Sequence, residues 1–385
     1  MRAFAASVLK KTDSILGPVA CFALSRAQRE PEARSLADFP SGASVLVARP
    51  GGIGDATLLL PCLAALRAAF PLSPVDVLCE SRNAPVFAAS GMVRRVLRYD
   101  AAPFSVLRAL RRGGWSVFCD TEQFHHCSAA MGALARVPVR VGFAVNPTRL
   151  GLYSRTVPYD STGRETDQFA RVFSSAAGRD LSPPPLRGLL SAERLPAPPP
   201  GLPPRFAAIH VGGSIASKRW SPSNWTALAE ILRKEHGLAT VFVGSRSDAL
   251  GAAAAITAAN SDALGQSARH EPDPSRETPT IDMCGKLPLE RTVSVLARAS
   301  VMVGPDSGLA HLAAAVGTPV VALFGPGDPA KWGPPPDAGY VVRAGVPCSP
   351  CSMYGVTRPC RRAWCMEKIT PEQVAAAVTR ALHFR

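Results

Sequence analysis

Residues 301–333 read VMVGPDSGLAHLAAAVGTPVVALFGPGDPAKWG, and this stretch constrains the fold more than any other. A short apolar run ends at Gly304 and meets a polar turn, Pro305-Asp306-Ser307-Gly308. A short helical pattern follows, Gly317 stops it, and a second apolar run, Pro319–Phe324, ends in another Gly/Pro turn. Strand, turn, helix, strand is a parallel crossover, and its strands are apolar throughout because both faces are covered. Such units bind ligands at the carboxyl ends of their strands and at the helix start. Unpaired N–H groups and partial positive charge there suit a phosphate. Asp306, Ser307, His311 and Asp328 all fall at that edge. A plain, well-capped crossover would share the apolar frame; the gathering of four polar residues favours a site.

The chain has 385 residues, too many for one typical core and enough for two domains with extensions. It carries a net charge of +14, with 43 basic residues of which only seven are Lys. The excess is uneven: residues 1–200 hold 24 basic and 15 acidic side chains. A basic first half suits an anionic acceptor or an acidic membrane face. Nucleic acid is disfavoured, because aromatics make up only 6% and no nucleic-acid motif is present. Six of the ten cysteines lie in apolar contexts, where a reduced Cys acts as a small hydrophobe; this favours a reducing, cytoplasmic compartment. No window is apolar for long enough to span a membrane. Residues 4–24 are apolar but interrupted by Lys10, Lys11 and Asp13, and a cleavage site fits them poorly. Two readings stand side by side: an interfacial helix touching the inner membrane surface, or a helix packed on the protein itself.

The pattern divides the chain into an N-terminal extension (1–40), a first α/β domain (41–180), a Pro-rich linker (181–205) and a second α/β domain (206–385). Strands are expected at Ser44–Arg49, Val75–Cys79, Arg95–Tyr99, Ser116–Asp120 and Val139–Phe143, and one helix over the Leu58–Leu66 pattern closing at Phe70-Pro71. The second domain offers strands at Phe206–Val211, Thr240–Val243 and Ile281–Gly285, with helices over Pro288–Ala299 and Pro371–Leu382. Ser221 with Pro222 starts another helix and Gly237 ends it, while Asn260–Thr280 is expected to be a surface loop. Each domain begins with a strand and a glycine turn. The fold class is therefore α/β, two Rossmann-like domains with parallel sheets and a cleft between them.

Several residues at the turns carry chemistry. Gly51, Gly52 and Gly54 precede Asp55, which breaks the dinucleotide fingerprint. Asp55 serves equally well as a carboxylate at a helix start or as a general base in the cleft. Lys218 follows the second domain's first strand and can neutralise a phosphate; alone, a solvated loop charge explains it too. His311 lies in the first helical turn after Asp306, where it either faces the bound group or is an ordinary packed histidine. No H-x-x-x-H, H-E-x-x-H or D-x-D occurs, so no dedicated metal site is expected there. Cys348, Cys351, Cys360 and Cys365, spaced C-x2-C-x8-C-x4-C, are compatible with a metal site, with reduced thiols or with a disulfide.

Four blocks taken together resemble glycosyltransferase family 9, the ADP-heptose:lipopolysaccharide heptosyltransferases. They are Val45–Leu66, His210–Trp225, Val303–Trp332 and the Cys-rich tail running into Met366-Glu367-Lys368-Ile369. The resemblance implies a GT-B fold, with the acceptor on the first domain and the nucleotide sugar on the second. It implies Asp55 as catalytic base, Gly52 and Gly54 on the acceptor side, and Lys218 beside the donor phosphates. It places Asp306, Ser307, Gly308, Leu309 and His311 in the donor signature, with Ser214 and Asp248 as looser donor contacts. The implied reaction is inverting and needs neither cofactor nor metal: heptose passes from an ADP-sugar donor to a lipopolysaccharide core or similar anionic glycolipid. The rival expectations are a GT-B enzyme using another nucleotide sugar, epimerase-type chemistry included, and a non-catalytic nucleotide-sugar-binding protein.

Overall fold

The computed structural model describes residues 2–27, 34–213, 215–256, 279–353, 356–357 and 360–384; for 2–10, 353 and 356–357 only the backbone is described. The chain forms two compact units, Met1–Pro184 and Pro185–Arg385.

In the first unit six strands line up in the order β3-β2-β1-β4-β5-β6. They are β1 (Val45–Arg49), β2 (Val75–Cys79), β3 (Arg95–Arg98), β4 (Val117–Asp120), β5 (Val139–Phe143) and β6 (Arg155–Val157). All neighbours are parallel, with Val45 of β1 paired to Val75 on one side and Val117 on the other. Strands β1, β2, β4 and β5 are buried at every position, which is why their apolar runs were legible as strands. The edge strand β6 has one buried residue, Val157, and so shows no apolar run. Where the pattern predicts one helix after β1, there are two, Ile53–Leu58 and Leu60–Ala69. Pro61 lacks an N–H and sits in the first turn of the second helix, so the chain restarts at Leu59.

The second unit repeats this plan. Strands β7 (Phe206–Ile209), β8 (Ala239–Phe242), β9 (Thr280–Asp282), β10 (Val301–Pro305), β11 (Val320–Leu323) and β12 (Gly339–Val342) lie in the order β12-β11-β10-β7-β8-β9. Counted within the unit, that is the same doubly wound order as in the first. The helix Pro222–His236 has the expected ends: Ser221 Oγ accepts from Asn224 N at 3.2 Å, and Gly237 closes it at φ 60°. Leu228, Leu232, Val303 and Val378 lie in one continuous core of the unit. The Pro-rich stretch follows this unit's surface: Leu190 N donates to Ala315 O at 2.9 Å, and Ser294 Oγ donates to Pro196 O at 2.6 Å. The expected surface loop at Asn260–Thr280 lies outside the described residues up to 278, and Thr280 already opens β9.

The N-terminal extension is a helix, Arg2–Ala27. Further along this extension, Leu36–Asp38 forms a short 3-10 turn with Leu36 buried; 28–33 lie outside the described residues. Among the described residues no helix is long and apolar enough to cross a membrane.

Candidate functional site

A doubly wound sheet opens where its strand order reverses, because the loops on either side leave in opposite directions. In this chain those points lie between β1 and β4 and between β7 and β10. Asp55 follows β1; Lys218 follows β7 and Asp306 follows β10. The carrier residues named from sequence therefore sit at the two switch points.

At the first, Gly52 is the N-cap of the helix Ile53–Leu58, and Gly54 and Asp55 occupy its first turn. The Asp55 carboxylate folds back over Gly52, 3.1 Å from where a Cβ on that residue would stand. Beneath it lies a charged floor that sequence reasoning missed. Arg49, the last residue of β1, donates to Thr121 O at 2.6 Å and pairs with Glu122 at 3.1 Å. Burial opposes the charge on Arg49, but the carboxylates of Asp55, Glu122, Glu165 and Asp120 outweigh it and keep the guanidinium protonated. Burial likewise opposes ionisation of Glu122, while Arg49 and the Phe124 N–H overcome it and hold that carboxyl below its usual range. Glu165 accepts from Gln123 Nε2 at 2.5 Å and from Tyr159 Oη at 2.6 Å. Of the four carboxylates around Arg49, Asp55 alone is not buried. It is the one of the four open to solvent.

At the second switch point Lys218 and Asp306 form an ion pair, Nζ to Oδ2 at 2.5 Å, with side chains 14% and 9% exposed. Lys218 ends a one-turn 3-10 helix, Ala216–Lys218, and the chain beyond it is pinned by Trp220. That indole donates to Ile369 O at 3.0 Å and stacks edge-on against Trp225. Ser307 is the N-cap of the helix Gly308–Ala315, yet its hydroxyl makes no capping bond. It lies instead 3.1 Å from His210 Nδ1. His210 Nε2 in turn stands 3.6 Å from Asp248 Oδ2, just beyond ordinary hydrogen-bond length. Burial pushes the Asp248 carboxyl up, but His210 and the Ser245 hydroxyl and amide more than offset this and bring it to about 2. Asp248 thus anchors His210, which holds the Ser307 hydroxyl away from the helix start. Gly212 makes this possible, since a Cβ there would lie 2.2 Å from Asp248 Oδ1.

The remaining candidates are placed as follows. Gly308 opens the helix, while Leu309 and His311 are buried, at 8% and 5% exposure. Asp328 caps a short helix, Pro329–Trp332, accepting from Ala330 N at 2.9 Å. Ser214 lies outside the described residues. Two of the four loop cysteines lie beside Gly325-Pro326. Cys351 N donates to Pro326 O at 2.9 Å, and Cys365 Sγ stands 3.3 Å from a Cβ position on Gly325. Burial pushes the Cys365 thiol up, and Cys351, Cys348 and Cys360 act in the same direction. Among the described residues no group of three or more His, Cys, Asp or Glu side chains is disposed to hold a metal ion. His210 could have been anticipated, since like Asp306 it directly follows a buried apolar strand. Arg49 and Glu122 gave less warning, because a charge at a strand end looks like a surface residue.

The family model of glycosyltransferase family 9 (heptosyltransferase) matches residues 104–360. The chain belongs to this family. This family 9 chain is accordingly a heptosyltransferase-like glycosyltransferase, and its two Rossmann-like units are those of the GT-B fold. It is 23% identical over 368 residues to lipopolysaccharide heptosyltransferase 1 of Pseudomonas aeruginosa, covering 88% of this chain and 98% of that protein. A stronger local likeness, 32% over 128 residues, links it to lipooligosaccharide heptosyltransferase 2 of Haemophilus influenzae; that match spans only 33% of each protein. Among solved structures, the ADP-heptose heptosyltransferase II of E. coli superposes with a TM-score of 0.65 at 20% identity, covering 88% of this chain and 98% of that one. A family 9 structure from Veillonella parvula gives 0.67 at 17% identity, covering 90% and 99%. At such identities the structural matches speak to fold alone.

Proposed function

We propose that this family 9 chain is an inverting glycosyltransferase that moves a heptose from ADP-heptose to the lipopolysaccharide core or a similar anionic glycolipid. The observation that carries this is the second switch point. There Lys218 and the start of the helix Gly308–Ala315 offer positive charge at one edge, and the helix's own capping hydroxyl is turned aside to His210. The relatives named for heptosyltransfer support the sugar and the acceptor class. In this reading the acceptor hydroxyl attacks the anomeric carbon as the bond from that carbon to the diphosphate oxygen breaks. The bonding pair leaves with ADP, and the acceptor proton passes to Asp55. Negative charge grows on the leaving diphosphate, where Lys218 and the helix amides meet it, so the charge is balanced without a divalent cation. Attack opposite the leaving group inverts the anomeric centre. Lys218 must exchange its Asp306 partner for phosphate on donor binding, so Asp306 acts as a placeholder that keeps the ammonium aimed.

Calorimetry with ADP-, UDP- and GDP-sugars tests the reading, with ADP-heptose expected to bind and the uracil and guanine sugars to bind far more weakly. Binding by none of them sinks the transferase assignment. Equal binding by all three removes the ADP specificity while leaving the fold-level reading intact.

A further inference from the structure

Over residues 11–27 the helix Arg2–Ala27 has two apolar faces, and among the described residues only one of them is covered. On the inner face, Asp13 reaches the start of a second helix, His126–Leu134, whose own N-cap residue supplies no capping side chain. Asp13 Oδ2 accepts from His126 N at 2.9 Å and Oδ1 from Cys127 N at 2.6 Å, so a carboxylate from another element caps that helix. One turn on, Gly17 presses so closely on His126 that a Cβ would lie 2.5 Å from its Cβ. Another turn on, Cys21 is fully buried. The helix is thus built into the first unit at a fixed rotation.

That rotation leaves Ile15, Leu16, Val19 and Phe22 exposed at 71%, 60%, 67% and 58%. Two more exposed apolar side chains, Phe124 and Leu150, stand on the segments the helix packs against. Of the ten large apolar side chains exposed among the described residues, four lie on this one helix, which marks an interaction surface rather than scatter. Its electrostatics select the partner. Lys11 is exposed on the helix, and Arg26 lays its guanidinium 4.2 Å from the Phe22 ring centroid, a cation held at the margin of an apolar stripe. The only carboxylate in residues 1–27, Asp13, is turned inward with 7% of its side chain exposed. A second copy docked face to face would set these positive charges against each other. An anionic lipid surface takes both the apolar stripe and the flanking cations.

We propose that the outer face of Arg2–Ala27, through Ile15, Leu16, Val19 and Phe22 with Lys11 and Arg26, docks the protein on an acidic phospholipid bilayer surface. This inference makes no use of the sugar-transfer site and stands apart from its assignment. The test is co-sedimentation of the full chain with vesicles of phosphatidylcholine alone and of phosphatidylcholine mixed with phosphatidylglycerol, without donor or acceptor. The full chain is expected to bind the mixed vesicles, to bind them less tightly in high salt, and to bind the neutral ones weakly. V19E/F22E is expected to lose about tenfold or more of that binding while its melting temperature holds, both sites being exposed. Should that pair lower the melting temperature, I15S/L16S carries the same test. Unchanged vesicle binding by the variants overturns the proposal. So does failure of the unaltered chain to bind either vesicle, or a dimer in sedimentation velocity that the substitutions split.

Discussion

The two units share one strand order but use their switch points differently. At the β1/β4 point, charge is locked away: Arg49 and Glu122 pair at 3.1 Å with side chains 4% and 5% exposed, and Glu165 is held by Gln123 and Tyr159. One carboxylate, Asp55, is left over that floor and reachable. At the β7/β10 point the charged pair itself, Lys218 with Asp306, lines the strand ends with side chains 14% and 9% exposed, and His210 and Asp248 stand behind it as a support. A fixed electrostatic floor under one carboxylate suits proton transfer, because it holds local charge constant while a single proton moves. A cation with an exchangeable partner suits binding a polyanion. Under the proposed function, the same fold would use one half for proton transfer and the other for holding the diphosphate.

The sharpest way to break this contrast is Asp55→Asn. Turnover should fall by about a hundredfold to ten-thousandfold, with ADP affinity in calorimetry unchanged; equal turnover would move the base elsewhere. Lys218→Ala should do the reverse in kind. Donor affinity should drop by about tenfold to a hundredfold, the range expected for losing one charge-assisted hydrogen bond. If ADP affinity stayed put in calorimetry, Asp306 and Lys218 would be a structural pair only.

Gly212→Ala probes the buried support. A Cβ 2.2 Å from Asp248 Oδ1 must push the carboxylate off His210, for about 1–3 kcal/mol of stability, read as a lower denaturation midpoint. An unchanged midpoint would show that the support gives way freely.

The smallest effect concerns acid. The Asp248 and Asp13 carboxyls are both held at about 2 against an ordinary 3.8. Burial opposes ionisation of each. It is outweighed at Asp248 by His210 and Ser245, and at Asp13 by His125 and the His126 and Cys127 amides. Because the folded values are depressed, the stability they confer is complete above about pH 4. It is lost as pH falls toward 2. Melting temperatures followed over that window should fall less steeply for Asp13→Asn than for the unaltered chain, and parallel curves would remove Asp13 from the account.

Much of this architecture was legible because it is local. The run Val139–Phe143 is a strand wherever it sits between covering helices, and Ser221-Pro222 with Gly237 bounds a helix by backbone chemistry alone. The restart at Leu59 was missed although Pro61 signalled it, and the edge strand β6 was missed because a half-exposed strand has no apolar run to read. The positions of Asp55, Lys218 and Asp306 followed from strand ends and glycine turns, and the block spanning residues 303–332 suggested the family.

Partners across sequence distance were not legible. Lys218 and Asp306 are 88 residues apart, and Asp13 and Cys127 are 114 apart. Nothing in either local stretch names the other, because such pairs are chosen by which strand ends and helix starts the sheet order brings together. By itself, the sequence determined that the chain builds two parallel α/β units with glycine turns at their leading strands. Tertiary structure alone decided that Asp55 stands reachable above a buried Arg49–Glu122 floor, that His210 draws Ser307 from its helix, and that Asp13 fixes which face of the first helix meets solvent. The physical reason is the same in each case. Secondary structure follows from backbone and period, whereas a buried charge is stable only where the fold supplies its counter-charge.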